Sequence, residues 1–220
     1  MLPDNGQMFH IRDCYISGPG DRGITSVGRG CQDMLVDRCQ FLSSEISLNA
    51  QARTSVAINV NANDVKIRDS RFVRFGTFLV ATGSGHLIVG NHWFQGDDTA
   101  SGTRVPGLVI AQKNCMMAIS GNYIDNAIVE WTNEYDVFPD FGPNEYSFGG
   151  LSISGNHFTV KRVLSDYAFL SIRPYGRDHH IHGLTVSNNV FLVIGPKIQR
   201  IDKVDTTFAD LDYSRMRNVM

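Results

Sequence analysis

The residues of this 220-residue chain best suited to chemistry are acids on one stretch and aromatics on another. Asp97 and Asp98 are adjacent in "FQGDDTASGTR", and Asp125 follows in "ISGNYID". Paired carboxylates are what glycoside hydrolysis needs: one protonated as acid, one ionised as base or nucleophile. Downstream, "EWTNEYDVFPDFGPNEYSF" (Glu130 to Phe148) sets Trp131, Tyr135 and four further aromatics among Glu130, Glu134 and three more acids. Aromatic faces stack on the apolar faces of sugar rings, and carboxylates accept hydrogen bonds from hydroxyls. Lys161 and Arg162, with Arg173 and Arg177 in "RPYGRDHHIHG", are the cations suited to an acidic sugar, whose carboxylate a guanidinium grips in a bidentate way. The expected set is therefore Asp97, Asp98 and Asp125 as catalytic groups, and Glu130, Trp131, Glu134, Tyr135, Lys161, Arg162, Arg173 and Arg177 as substrate contacts. Plainer readings stand beside these. Gly-Asp-Asp is ordinary turn chemistry, and a long loop can pack its aromatics on its own flank or on a subunit.

Those residues need a scaffold, and a repeat supplies one. "ISGNYI" at Ile119 and "ISGNHF" at Ile153 are near copies, and five further segments align with them on an opening aliphatic residue: Ile11, Val36, Ile67, Val89 and Val186. Two positions earlier stand Phe9, Met34, Val65, Leu87, Met117, Leu151 and Leu184, all apolar. Five positions later stand Ile16, Phe41, Phe72, Phe94, Ile124, Phe158 and Phe191, all large and apolar. Apolar residues two apart mark a strand with one buried face. Three positions after the opening residue come Cys14, Cys39, Ser70, His92, Asn122, Asn156 and Asn189, side chains fit for a polar corner, where Asn also tolerates a left-handed backbone. A third strand is expected in most intervals, at "GITSVG", "VAINVN", "TFLVAT", "GLVIAQ", "AIVEW" and "FLSIR".

Strand, corner, strand and third strand describe one coil of a solenoid, with strands of successive coils about 4.8 Å apart. Counted from the opening residues, Asp97 and Asp98, Asp125, and Lys161 and Arg162 fall on one edge of three adjacent coils. Outward charges alternate: Arg12, Asp37 and Arg68 in one column, Asp13, Arg38 and Asp69 in the next. Opposite charges across strands stabilise by about 0.2–1 kcal/mol each, so this reads first as a stabilising ladder and second as a cleft for a charged sugar.

From Phe9 to Val193 the segments resemble the right-handed parallel β-helix of the pectin-lyase-like superfamily, which includes pectate lyases, polygalacturonase-like glycoside hydrolases and phage tailspikes. The resemblance implies an all-β, single-stranded right-handed parallel β-helix of about seven coils, one domain over residues 1–220 and a fragment of a longer chain, uncapped at both ends as given. Asp97 and Asp98 resemble the adjacent aspartates of the polygalacturonase-like enzymes. The departure is that no Asn-Thr-Asp precedes them, no Gly-His-Gly follows, and no Arg-Ile-Lys is in place. The fold hosts many chemistries. The expected function is action on, or binding of, a polysaccharide as a hydrolase-like or lyase-like protein. The alternative is a non-catalytic virion or cell-surface spike that binds a glycan, with a homotrimer or capping partner chains. An extracellular, cell-surface or virion location is what the resemblance favours.

Bulk properties exclude other classes. With 20 basic and 22 acidic side chains the chain has no electrostatic footprint for nucleic acid. It holds no apolar run of membrane-spanning length, and "MLPDNGQMFHIRD" is not a signal peptide. Four cysteines without a CxxC pair argue against a zinc ribbon, and Cys14 and Cys39 are expected as stacked thiols rather than a disulfide. His180 and His182 share a strand face, but they flank Ile181 as outward residues do, so no metal and no cofactor is expected.

Overall fold

The computed structural model describes residues 6–18, 22–26, 31–43, 56–60, 62–73, 76–79, 85–94, 106–110, 116–132, 146–160, 169–173, 179–193, 209–211 and 216–217. Among the described residues every regular element is a strand. The chain steps through three sheets in rotation, and the strands within each pair in parallel. The first sheet takes His10–Arg12, Leu35–Asp37, Lys66–Arg68, His86–Val89, Met117–Ser120, Tyr146–Ser154, His179–Ser187 and Met216–Arg217 in that order. The second takes Tyr15–Ser17, Gln40–Leu42, Arg71–Val73, His92–Phe94, Tyr123–Asp125, His157–Val160 and Val190–Val193. The third takes Arg22–Thr25, Val56–Val60, Gly76–Leu79, Pro106–Ile110, Ile128–Thr132, Leu170–Arg173 and Ala209–Leu211. All six third strands expected from the sequence fall on this sheet.

The core follows from the period-2 pattern. Val36, Ile67, Ile88, Ile119 and Ile153 are wholly buried in one column of the first sheet. On the second sheet Phe41, Phe72 and Trp93 stack face to face, with centroids 4.9 and 5.3 Å apart and planes within 11° and 9°. Further along, Phe158 stacks on Phe191 at 5.1 Å, and Phe169, just ahead of the third-sheet strand Leu170–Arg173, closes on both.

Two expectations are corrected. The first concerns the fourth segment, where Ile67 pairs with Ile88 and not Val89. Trp93 therefore takes the inward aromatic position expected of Phe94, His86 replaces Leu87, and Asn91 replaces His92 in the polar column. Phe94 instead lies outward, between Val73 and Asp125. A one-residue slip exchanges the two faces of a strand, and "HLIVGNHWF" carries apolar residues in both alternations. Asn91 decides between them. Its Oδ1 accepts from the Ser70 N–H at 3.0 Å, and its Nδ2 donates to the Ile67 carbonyl at 2.8 Å. Those bonds require Asn91 inside.

The second correction concerns the corner. The left-handed residue is the one before the polar column: Asp13, Arg38, Asp69, Gly90, Gly121, Gly155 and Asn188 all have φ between 49° and 66°. Gly meets this without strain, and Asp or Asn at little cost. The bend turns the next side chain inward. Asn91, Asn122, Asn156 and Asn189 thus form a ladder in which each Oδ1 accepts the main-chain N–H of the preceding rung at 2.9–3.0 Å. Each Nδ2 donates to a first-sheet carbonyl of the circuit before, at 2.8–3.0 Å. Cys14 and Cys39 fill the first two rungs as free thiols.

Candidate functional site

Of the expected site residues, Asp97, Asp98, Glu134, Tyr135, Lys161, Arg162 and Arg177 lie outside the described residues. Trp131 and Arg173 belong to third-sheet strands, with Trp131 in register with Ile172, and Thr132 with Arg173. Glu130 pairs between Val109 and Ser171 on the same sheet. Asp125 ends the second-sheet strand Tyr123–Asp125 and is partly buried. Its Oδ1 accepts a hydrogen bond from Thr159 Oγ1 at 2.8 Å, and that hydroxyl also lies 3.4 Å from the Tyr123 phenol oxygen.

Asp125 stands on a face that the sequence pattern did not single out. Because Phe41, Phe72, Trp93, Ile124 and Phe158 point inward, the residues before and after them point out. The preceding residues form an in-register column through Gln40, Arg71, His92, Tyr123 and His157. Arg71, Tyr123 and His157 are exposed, and His92 is half-buried between its neighbours. The His92 ring meets Tyr123 edge-on, with centroids 4.9 Å apart and planes at 73°. Burial, and then the nearby Arg71 charge, push the His92 imidazole below its ordinary value, while Asp125 opposes them. The shift favours the neutral imidazole, and among the described residues its Nε2 has no hydrogen-bond partner. Arg71, His92, Tyr123 and Asp125 thus combine a bidentate donor, two flat rings and a carboxylate acceptor across three adjacent strands, and the buried Thr159 hydroxyl on a fourth holds Asp125.

Sequence reasoning missed this column because the slipped fourth segment put His92 inside. A usable signal was present. Aligning on the Gly-Asn dipeptide (Gly90-Asn91, Gly121-Asn122, Gly155-Asn156) rather than on the aliphatic residue sets His92, Tyr123 and His157 side by side.

The alternating charges make a separate cluster on the first sheet. Asp37 is 1% exposed, yet its cover is three guanidinium groups that are themselves 45–52% exposed, so hydrated charge shields it rather than apolar protein. Arg38 approaches Asp37 at 2.8 Å, Arg68 at 3.1 Å and Arg12 at 3.8 Å. Arg38 also forks onto Asp13, with bonds of 2.8 and 3.0 Å. The Arg68 hydrogen bonds first, and then the charges of Arg38, Arg68 and Arg12, hold the Asp37 carboxyl below 3.8. Arg12, Arg38 and Arg68 against Asp13, Asp37 and Asp69 sum to zero, so the cluster has no surplus charge for a ligand. Its geometry is that of the stabilising ladder.

This is an all-β chain of parallel sheets with a mixed aromatic and polar outer face. Compared with models of known protein families the chain matches none, and no curated protein matches it. Among the described residues no group of three or more His, Cys, Asp or Glu is placed to hold a metal, and no helix is long and apolar enough to cross a membrane.

Proposed function

We propose that this chain forms a right-handed parallel β-helix of the pectin-lyase-like type, and that it recognises a polysaccharide along the outer face of its second sheet. The observation that carries the reading is the in-register column Arg71, His92, Tyr123 and His157 beside Asp125. Successive strands repeat about every 4.8 Å, so the column offers stacking and hydrogen-bonding groups at a regular pitch to an extended chain of rings. Tyr123 stacks on a pyranose face, Arg71 takes a carboxylate or hydroxyl pair, and Asp125, oriented by Thr159, accepts from a ring hydroxyl. The rotation of the chain through three parallel sheets supports the solenoid.

Hydrolysis is the sharper form of this proposal. It assigns Asp97, Asp98 and Asp125 to catalysis, with Trp131 and Tyr135 holding the sugar. A glycan array scored for both binding and cleavage tests it. On the responsive glycan, Tyr123→Ala is expected to weaken binding by about 1 kcal/mol, roughly fivefold. If the protein is an enzyme, Asp98→Asn abolishes turnover and leaves binding in place, because an amide keeps the shape but moves no proton. If it is a spike that only binds, no aspartate affects any rate. Unchanged affinity in Tyr123→Ala and Arg71→Ala refutes recognition by this face.

A further inference from the structure

The polar ladder changes character at its first two rungs. From Ser70 onward each rung offers an oxygen to the main-chain N–H of the rung before it. Cys39 carries a thiol at this position instead, and Cys14, one circuit before it, carries another. Cys39 is wholly buried and Cys14 partly so, and both are free. Their thiols point to main-chain carbonyls, Cys14 Sγ to Arg12 O at 3.2 Å, and Cys39 Sγ to Ile11 O and Asp37 O at 3.4 Å each.

The two residues share one column on adjacent parallel strands, in which Tyr15 is in register with Gln40. Such columns repeat about every 4.8 Å. A disulfide spans Cα separations of roughly 4.4–6.8 Å, which include this pitch, so the spacing alone does not exclude a bridge; in this structure both thiols are free. Two in-line metal–thiolate bonds of about 2.3 Å, the length found at zinc, span about 4.6 Å, close to that pitch. Ions that need three or four side-chain ligands are disfavoured, since no third His, Cys, Asp or Glu ligand stands by among the described residues.

We propose that Cys14 and Cys39 form a two-coordinate site for a soft monovalent ion of the copper(I) class, held in line between the two sulfurs. Thiolate is the soft ligand that selects such ions. Binding breaks two S–H bonds and forms two metal–sulfur bonds. Two protons leave to solvent, no electron moves, and the complex carries one negative charge. The proposal is independent of the polysaccharide reading.

The test uses the full chain carrying Cys31→Ser and Cys115→Ser, so that Cys14 and Cys39 are the remaining thiols. Copper(I) is titrated anaerobically against a chromophoric copper(I) chelator while proton release is followed. One equivalent is expected to leave the chelator, with two protons released per ion. Cys14→Ser and Cys39→Ser should each abolish that phase. Serine already occupies the next rung at Ser70, so both variants should keep the far-ultraviolet circular dichroism of the parent. Should Cys39→Ser lose structure, Cys14→Ser alone decides. Binding that survives in a folded single variant, release of one proton per ion, or failure of the parent to compete with the chelator overturns the proposal.

Discussion

Asn122→Ala tests whether the asparagine ladder holds the circuits in register. Asn122 Oδ1 accepts from the Asn91 N–H at 2.9 Å and from Asn91 Nδ2 at 3.1 Å, and its Nδ2 donates to the Ile88 carbonyl at 3.0 Å and to Asn156 Oδ1 at 2.9 Å. Alanine removes all four bonds. The Asn91 N–H and the Ile88 carbonyl lose their side-chain partner where Asn91, Asn122 and Ile88 are at most 2% exposed. The Ile88 carbonyl stays within the parallel ladder, so the Asn91 N–H is the group left unsatisfied, and at about 1–3 kcal/mol for a buried polar group that is the predicted loss. Urea unfolding followed by circular dichroism measures the total, and hydrogen exchange at the Asn91 amide localises it. Gly121→Ala is the control one residue away. A Cβ there meets no atom within 4 Å, so its cost is the backbone penalty at φ +62°, about 1–2 kcal/mol. An Asn122→Ala variant within about 0.5 kcal/mol of wild type, the range of an ordinary surface change, refutes the reasoning.

Phe72→Ala, which empties the middle of the Phe41–Trp93 stack, should cost about 3–5 kcal/mol, and the outward Phe94→Ala clearly less. Equal losses in urea midpoints argue for the other register. Asp37, whose folded value is depressed below 3.8, contributes stability that is present above 3.8 and lost as pH falls through its folded value. Acid titration of Asp37→Asn should show a shallower loss in that window, and an unchanged slope counts against the arginine cage. His92 is also depressed, below 6.5, so protonating it opposes folding and part of the stability fades as pH falls from 6.5 toward its folded value. His92→Gln should flatten that segment of the stability–pH curve; an identical curve shows that the imidazole is freely hydrated.

The inward columns were legible in the residues themselves. Val36, Ile67, Ile119, Ile153, Phe41, Phe72 and Phe158 are buried because an apolar residue at every second position of a short strand leaves one solution for the core. The third strands were legible for the same reason. Local pattern is silent where two faces are equally apolar, as in "HLIVGNHWF", and there the neighbouring circuits decided. Asn91 gains bonds to Ser70 and Ile67 only when residues 21 and 24 positions away are already in place. The same choice of register turned His92 outward beside Arg71 and Tyr123, and so assembled the candidate face from residues 21 and 31 positions apart. The burial of Asp37 was equally invisible in sequence. An exposed-looking carboxylate loses its water only because Arg12 and Arg68 flank it from the two adjoining strands while Arg38 bends back over it from its own.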